Sequence, residues 1–111
     1  MWKVRFAEGA WEQVQELPVR ERNAMVSALR KLEEIGPSLG SPHSSAVLGV
    51  DVQMRELRPR QGHSPWRAFY FRVPDGFLIS SVGPEAAQNK RGFERAVVQA
   101  IERYRAEELE S

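Results

Sequence analysis

The sequence contains no cysteine, which excludes disulfide bonds, thiolate metal sites and thiol nucleophiles. Long apolar runs are also missing, since no stretch approaches the roughly 18–20 residues that a membrane-spanning helix needs. Residues 1–6 alternate apolar and basic side chains, which is not the block pattern of a signal peptide. We therefore expect a cytoplasmic protein that makes no contact with a membrane.

The composition is that of a globular chain. Its 111 residues are 41% hydrophobic and 28% charged, proportions that suit one folded unit rather than a disordered tract. No repeat or linker divides the sequence, and a chain of this length can bury one hydrophobic core. We expect a single domain over residues 1–111.

Charge is distributed unevenly along the chain, although its net value is only +1. Residues 54–91 contain seven basic and three acidic side chains, a balance of +4, whereas residues 93–111 contain three basic and five acidic ones, a balance of −2. A basic segment on a nearly neutral chain favours one localised anion-binding face. A solvated, arginine-rich sheet face would give the same pattern.

Hydrophobic periodicity predicts the element order β-α-α-β-β-β-α, which belongs to the α+β class. The predicted helices cover residues 8–17, 19–35 and about 87–109, and the predicted strands cover residues 2–6, 50–57, 66–73 and 77–82. Residues 36–49 form a loop, and Pro74-Asp75-Gly76 forms a turn between the last two strands. We expect the helices to cover one face of a mainly antiparallel sheet and the other face to display arginines.

Three segments carry a recognisable pattern. They read G-P-S-L-G-S-P at residues 36–42, M-R-E-L-R at residues 54–58 and W-R-A-F-Y-F at residues 66–71. Their order and spacing resemble the "G-P-x-L-G-x-P" loop, "W/M-x-E-L-R" strand and "R-x-x-Y/F-F" strand of the phage-derived HigB-like branch of the RelE/ParE toxins. The resemblance implies a RelE/ParE-like fold, in which a helical hairpin and a C-terminal helix pack on a curved, mainly antiparallel sheet.

The resemblance also implies a function, that of the toxin in a type II toxin–antitoxin system. Most characterised HigB and RelE relatives are ribosome-dependent mRNA endoribonucleases that need no metal and arrest growth by inhibiting translation. The implied partners are messenger RNA on the ribosome and a cognate, HigA-like helix-turn-helix antitoxin, with operator DNA bound only through that antitoxin. No cofactor is implied, and two isolated histidines among scattered carboxylates give no metal-ligand spacing.

The chain departs from the family pattern after the last predicted strand. Relatives usually carry "F-x-K-K-x-x-x-K-T-P" there, whereas this chain reads V-G-P-E-A-A-Q-N-K-R-G-F over residues 82–93. Only Asn89-Lys90-Arg91 keeps a basic character. Two alternatives therefore stay open: a non-enzymatic DNA gyrase poison of the ParE kind, or a catalytically degenerate homologue retained as a binding module.

Cleavage of RNA without a metal needs a base for the 2′-hydroxyl, a cation for the transition state and an acid for the leaving oxygen. Arg58 and Arg67 are the predicted catalytic cations, because they match the family's two arginines and a guanidinium donates to two phosphate oxygens at once. His63 is the predicted catalytic acid–base residue. The predicted RNA-binding residues are Arg55, Arg60, Trp66, Lys90 and Arg91. Each of these could instead be a solvated or packing side chain.

Overall fold

The computed structural model describes residues 1–110, and a five-stranded sheet forms its centre. In chain order, the elements are β1 (Lys3–Phe6), α1 (Ala10–Gln15), α2 (Val19–Ile35), β2 (Ser44–Ala46), β3 (Arg55–Leu57), β4 (Trp66–Val73), β5 (Gly76–Pro84) and α3 (Lys90–Glu110). No helix within residues 1–110 combines the length and the apolar character that crossing a bilayer requires.

The sheet has the order β1-β5-β4-β3-β2, with β1 parallel to β5 and the other neighbours antiparallel. This confirms the predicted α+β class and the mainly antiparallel sheet. β2 was not predicted, because three small residues show no alternation and form a strand only by pairing with β3. β3 is shorter than predicted: residues 47–54 form a loop, which the hydrogen bond from the Val47 N–H to the Met54 carbonyl closes at 2.9 Å.

Helices cover both faces of the sheet, so the expectation of one open face is wrong. On β4, Ala68 and Tyr70 join an apolar cluster with α1 and α2, whereas Phe69 and Phe71 join a second cluster with α3. Alternate side chains of a strand point to opposite faces, so α1 and α2 lie on one side and α3 on the other. The almost continuous apolar run A-F-Y-F is the sequence signal of a strand buried on both faces.

α3 is fixed to the sheet by two buried serines of β5. The Ser80 hydroxyl donates to the Ala100 carbonyl and the Ser81 hydroxyl donates to the Ala96 carbonyl, each at 2.6 Å. Consecutive strand residues normally face opposite ways, but the pairing with β4 shifts register at Phe69 and leaves one extra residue in β5. This bulge turns both hydroxyls towards α3.

The turn between β4 and β5 occurs where it was predicted. It brings Val73 opposite Gly76, and Gly76 in turn pairs with Lys3 of the edge strand β1. Gly76 has φ +148°, and a β-carbon there would overlap the Lys3 carbonyl. Glycine is therefore required for β1 to join the sheet.

Candidate functional site

Arg67 lies on β4 with its side chain only 2% exposed. Its Nη1 donates to the backbone carbonyls of Ser64 at 2.6 Å and Trp66 at 2.9 Å. Its Nη2 donates to the Gly62 carbonyl at 3.4 Å and to the Glu85 carboxylate at 2.6 Å. The prediction that Arg67 is displayed on an open face is therefore wrong: its guanidinium holds the β3–β4 connection against the segment that follows β5.

Glu56 of β3 connects Arg67 to the other predicted catalytic arginine. Its Oε1 atom lies 3.1 Å from Nη1 of Arg58 and 3.5 Å from Nε of Arg67. The Ser45 hydroxyl donates to the same oxygen at 3.4 Å. Ser45 and Glu56 are cross-strand partners, so they share a face, and Arg58 follows two residues later. All these contacts use Oε1, which leaves Oε2 of Glu56 without a partner within residues 1–110.

We call Glu56, Arg58, Arg67 and Glu85 the arginine–glutamate cluster. It contains two positive and two negative charges. Burial lowers the pKa of Arg67, and the positive charge of Arg58 acts in the same direction, whereas Glu56 and Glu85 oppose both. A buried guanidinium needs such counter-charges to stay in a folded protein. The carboxylates therefore neutralise the arginine that was expected to attract phosphate.

Arg58 is the more accessible cation of the cluster, with a side chain that is 32% exposed. Its guanidinium lies against Gly62, where a β-carbon would come within 2.9 Å of Nη2 and where φ is +92°. Its hydrogen bonds within residues 1–110, to Glu56 and Ser45, use Nη1 alone. Nε and Nη2 make no hydrogen bond within the same residues.

The turn at residues 59–62 is strained. Arg60 (φ 53°, ψ 44°) and Gln61 (φ 56°, ψ 31°) are both left-handed, a conformation that costs a residue with a β-carbon on the order of 1–3 kcal/mol. Glu21 of α2 holds this turn, because its carboxylate accepts from the Arg60 guanidinium at 2.7 Å and from the Ser64 hydroxyl at 2.8 Å. Arg60 is thus anchored towards α2 and away from the arginine–glutamate cluster.

His63 follows this turn and is exposed. Its Nδ1 lies 2.9 Å from the Arg60 carbonyl, so Nδ1 carries the proton when the ring is neutral and Nε2 is left for solvent. Its backbone N–H donates to the same carbonyl at 3.0 Å. The ring is therefore held in place while its second nitrogen stays accessible, and its acid–base role stays a prediction.

The side chains of the remaining predicted residues make no hydrogen bond or ion pair with the side chains of the cluster within residues 1–110. Arg55 points to the opposite face, where its Nε donates to Ser44 at 2.9 Å, because it is one residue away from Glu56. Trp66 packs partly against the apolar cluster of α1 and α2. Lys90 and Arg91 are exposed at the start of α3. RNA binding by these residues, and by Arg60, stays a prediction.

Sequence reasoning missed the part that Glu56 and Glu85 play. No role was predicted from the sequence for either residue, and both were counted only among the three acids of residues 54–91. A usable signal was present: Glu85 stands where relatives carry a basic stretch.

Within residues 1–110, no group of three or more histidines and carboxylates could hold a metal ion.

A family model described as "Phage derived protein Gp49-like (DUF891)" matches residues 12–105. The match spans most of the chain and includes every member of the arginine–glutamate cluster. A comparison with curated proteins finds no match.

Proposed function

Because the chain belongs to the phage-derived Gp49-like family, a family of RelE-like toxins, we propose that it is the HigB-like toxin of a type II toxin–antitoxin pair. In this proposal it cuts messenger RNA on the ribosome, in the cytoplasm and without a metal. The observation that carries the proposal is the arginine–glutamate cluster. In this cluster, one carboxylate oxygen of Glu56 has no partner within residues 1–110. The neighbouring Arg58 guanidinium still has N–H groups that make no hydrogen bond within the same residues.

Each group of the site takes one task in this mechanism. Arg58 binds the scissile phosphate through Nε and Nη2 and stabilises the charge of the transition state. Glu56 accepts the 2′-hydroxyl proton at Oε2, and the 2′-oxygen then forms a bond to phosphorus. The bond from phosphorus to the 5′-oxygen breaks, and Nε2 of a protonated His63 gives that oxygen its proton. Arg67 acts as a positioning residue, because it fixes Glu56 and the turn that precedes His63.

Induced expression of the chain without its antitoxin tests this mechanism. The wild type should stop growth and produce transcripts that end in a 2′,3′-cyclic phosphate, and Glu56→Gln and Arg58→Gln should relieve both effects. Arg20→Gln is the matched control, because Arg20 is exposed on α2 and lies outside the cluster. Normal growth with intact transcripts on induction of the wild type would refute the proposal.

A specific observation favours a second candidate, a toxin homologue that binds without cutting. The Arg67 guanidinium already donates to three backbone carbonyls and to Glu85, which leaves few N–H groups to bind a phosphate. Binding, unlike proton transfer, needs no acid–base pair. A gyrase poison of this kind inhibits supercoiling at excess protein, whereas a degenerate binding module leaves both gyrase and growth unaffected and still captures the antitoxin.

The proposed partner is a helix-turn-helix antitoxin of the HigA-like kind, and operator DNA binds only through it. Co-expression of the chain with the small reading frame beside its gene tests this. The two products should purify as one complex, and operator binding should require the second protein. Failure of every neighbouring product to bind the chain would contradict the toxin–antitoxin assignment.

A further inference from the structure

A cleft of about 290 Å³ lies between α2 and the turn at residues 59–62. It is open because α2 presents small side chains to the turn: Ala24, Ser27 and Ala28 fall on one face of the helix at spacings of three and four. Leu57, at the end of β3, completes the lining with an apolar group. The volume lies just below the roughly 300–1,000 Å³ that small-molecule sites occupy.

Apart from Gln61, the rest of the lining consists of basic side chains. Lys31, His43, Arg58 and Arg60 all line the cleft, and no carboxylate does so within residues 1–110. Two of these cations have acidic partners outside the lining: Arg60 is bound to Glu21 at 2.7 Å, and Arg58 is bound to Glu56 at 3.1 Å. Lys31 forms no ion pair within the same residues. The cleft therefore combines small, apolar walls with one cation that has no ion pair within residues 1–110, Lys31, and with two arginines whose acidic partners lie outside the lining.

The strained turn also points to a ligand. Consecutive left-handed residues that carry β-carbons persist only where surrounding contacts hold them, and such strain concentrates at binding sites. In this turn it places Gln61 in the lining of the cleft, together with the basic residues 58 and 60. A glutamine amide both donates and accepts hydrogen bonds, as recognition of the edge of a nucleobase requires.

We propose that this cleft binds a single nucleotide. The base lies against the wall that Ala24, Ala28 and Leu57 form, and the phosphate is bound by Lys31 and Arg60. An ammonium and a guanidinium are the usual protein ligands of phosphate. The nucleotide is either free or the end of an RNA chain, since both offer the same base and phosphate. The inference does not depend on RNA cleavage at the arginine–glutamate cluster.

Amide chemical shifts of the full chain, titrated with adenosine 5′-monophosphate, test the proposal. We expect saturable shifts around Lys31 and Gln61, and an affinity that falls about tenfold in Lys31→Gln, because one charge-assisted hydrogen bond is lost. Ser27→Phe should abolish binding by filling the cleft from an exposed position on α2. Arg30→Gln is the control, since Arg30 is the exposed neighbour of Lys31 and does not line the cleft.

Two further probes decide what the cleft recognises. A short RNA with a terminal phosphate should shift the same amides. Competition between this RNA and the mononucleotide shows which of the two, the chain end or the free nucleotide, binds the cleft more tightly. Inorganic phosphate should bind more weakly than either. Equal affinity for inorganic phosphate, no saturable shift with nucleotide or RNA, or binding that survives both Lys31→Gln and Ser27→Phe would each overturn the assignment. None of these readouts requires cleavage, so they stay informative if the proposed nuclease activity fails.

Discussion

Replacing Glu85 with glutamine tests whether Arg67 is held as a buried structural cation. The substitution keeps the shape of the side chain and removes the charge that lies 2.6 Å from Nη2 of Arg67. Breaking a buried ion pair by removing one partner typically costs about 3–5 kcal/mol. Glu85 is 25% exposed, and Glu56 keeps its ionic contact with Arg67 at 3.5 Å. We therefore expect a smaller loss, of about 2–3 kcal/mol.

The loss should be visible in both chemical and thermal unfolding. A chain of this length has an unfolding entropy that converts 1 kcal/mol into roughly 4–5 °C, so Glu85→Gln should lower Tm by about 10 °C. Arg67→Met, alone and combined with Glu85→Gln, completes a double-mutant cycle. The two losses should fall short of additivity by about 1–2 kcal/mol, because each substitution breaks the same contact.

An exposed ion pair of this chain provides the control. Asp51 and Arg105 are 3.6 Å apart, with side chains 84% and 57% exposed, so Asp51→Asn should change stability by less than about 0.5 kcal/mol. A similarly small effect of Glu85→Gln would refute the structural assignment of Arg67. It would mean that the cluster opens at little cost, and the second candidate function, which depends on an occupied Arg67, would lose its support.

Three further predictions follow from the fold. Ser81→Ala should cost about 1 kcal/mol in urea unfolding, because the buried hydrogen bond to Ala96 is lost; an unchanged midpoint would contradict this. Gly76→Ala should cost at least about 2 kcal/mol, because its β-carbon overlaps the Lys3 carbonyl; unchanged protection of the β1 amides from hydrogen exchange would show that the strand tolerates it. Burial raises the pKa of Tyr104 above its ordinary value of 10.0, so the native state holds the phenolic proton more tightly than the unfolded state does. This contribution to the free energy of unfolding is present below pH 10 and is lost as pH rises through the folded pKa. The free energy of unfolding of Tyr104→Phe should therefore fall less steeply in alkali than that of the wild type. Identical profiles of unfolding free energy against pH would contradict this prediction.

Strong local signals made parts of the fold predictable. The bounds of α2 and β4 agree with the prediction residue for residue, because α2 has a clear apolar stripe and a Gly36-Pro37 stop, and because β4 is bounded by prolines. β2 and the length of β3 could not be predicted, since both depend on pairing between segments that show no periodicity. The position of α3 on the second face of the sheet was not predicted either. Its signal was the apolar run of β4, which alternation alone does not explain.

The candidate site was less predictable than the fold, and Arg67 shows why. Its type and its place on β4 were predicted, but its exposure depends on which element covers that end of the strand. The segment after β5 brings Glu85 over it, and the same segment is where the chain departs from the family pattern. A motif match identifies the arginine, whereas its accessibility is decided by residues about 20 positions away in the sequence.

The basic balance of residues 54–91 does not become a basic surface, because charges distant in sequence meet in the fold. Of its bases, Arg67 is neutralised by Glu85 and Glu56, Arg58 shares Glu56, and Arg60 is paired with Glu21 of α2. Within this segment, accessible positive charge remains on Arg58, on Arg72 and at the exposed start of α3. Lys31 of α2, outside the segment, adds a cation at the cleft. An anionic ligand drawn to this protein therefore meets two regions that share Arg58. One is the arginine–glutamate cluster, where Oε2 of Glu56 has no partner within residues 1–110, and the other is the cleft, which no carboxylate lines within the same residues. If both proposals hold, catalysis takes place in the first region and nucleotide binding in the second, so variants at Glu56 and at Lys31 should separate the two activities.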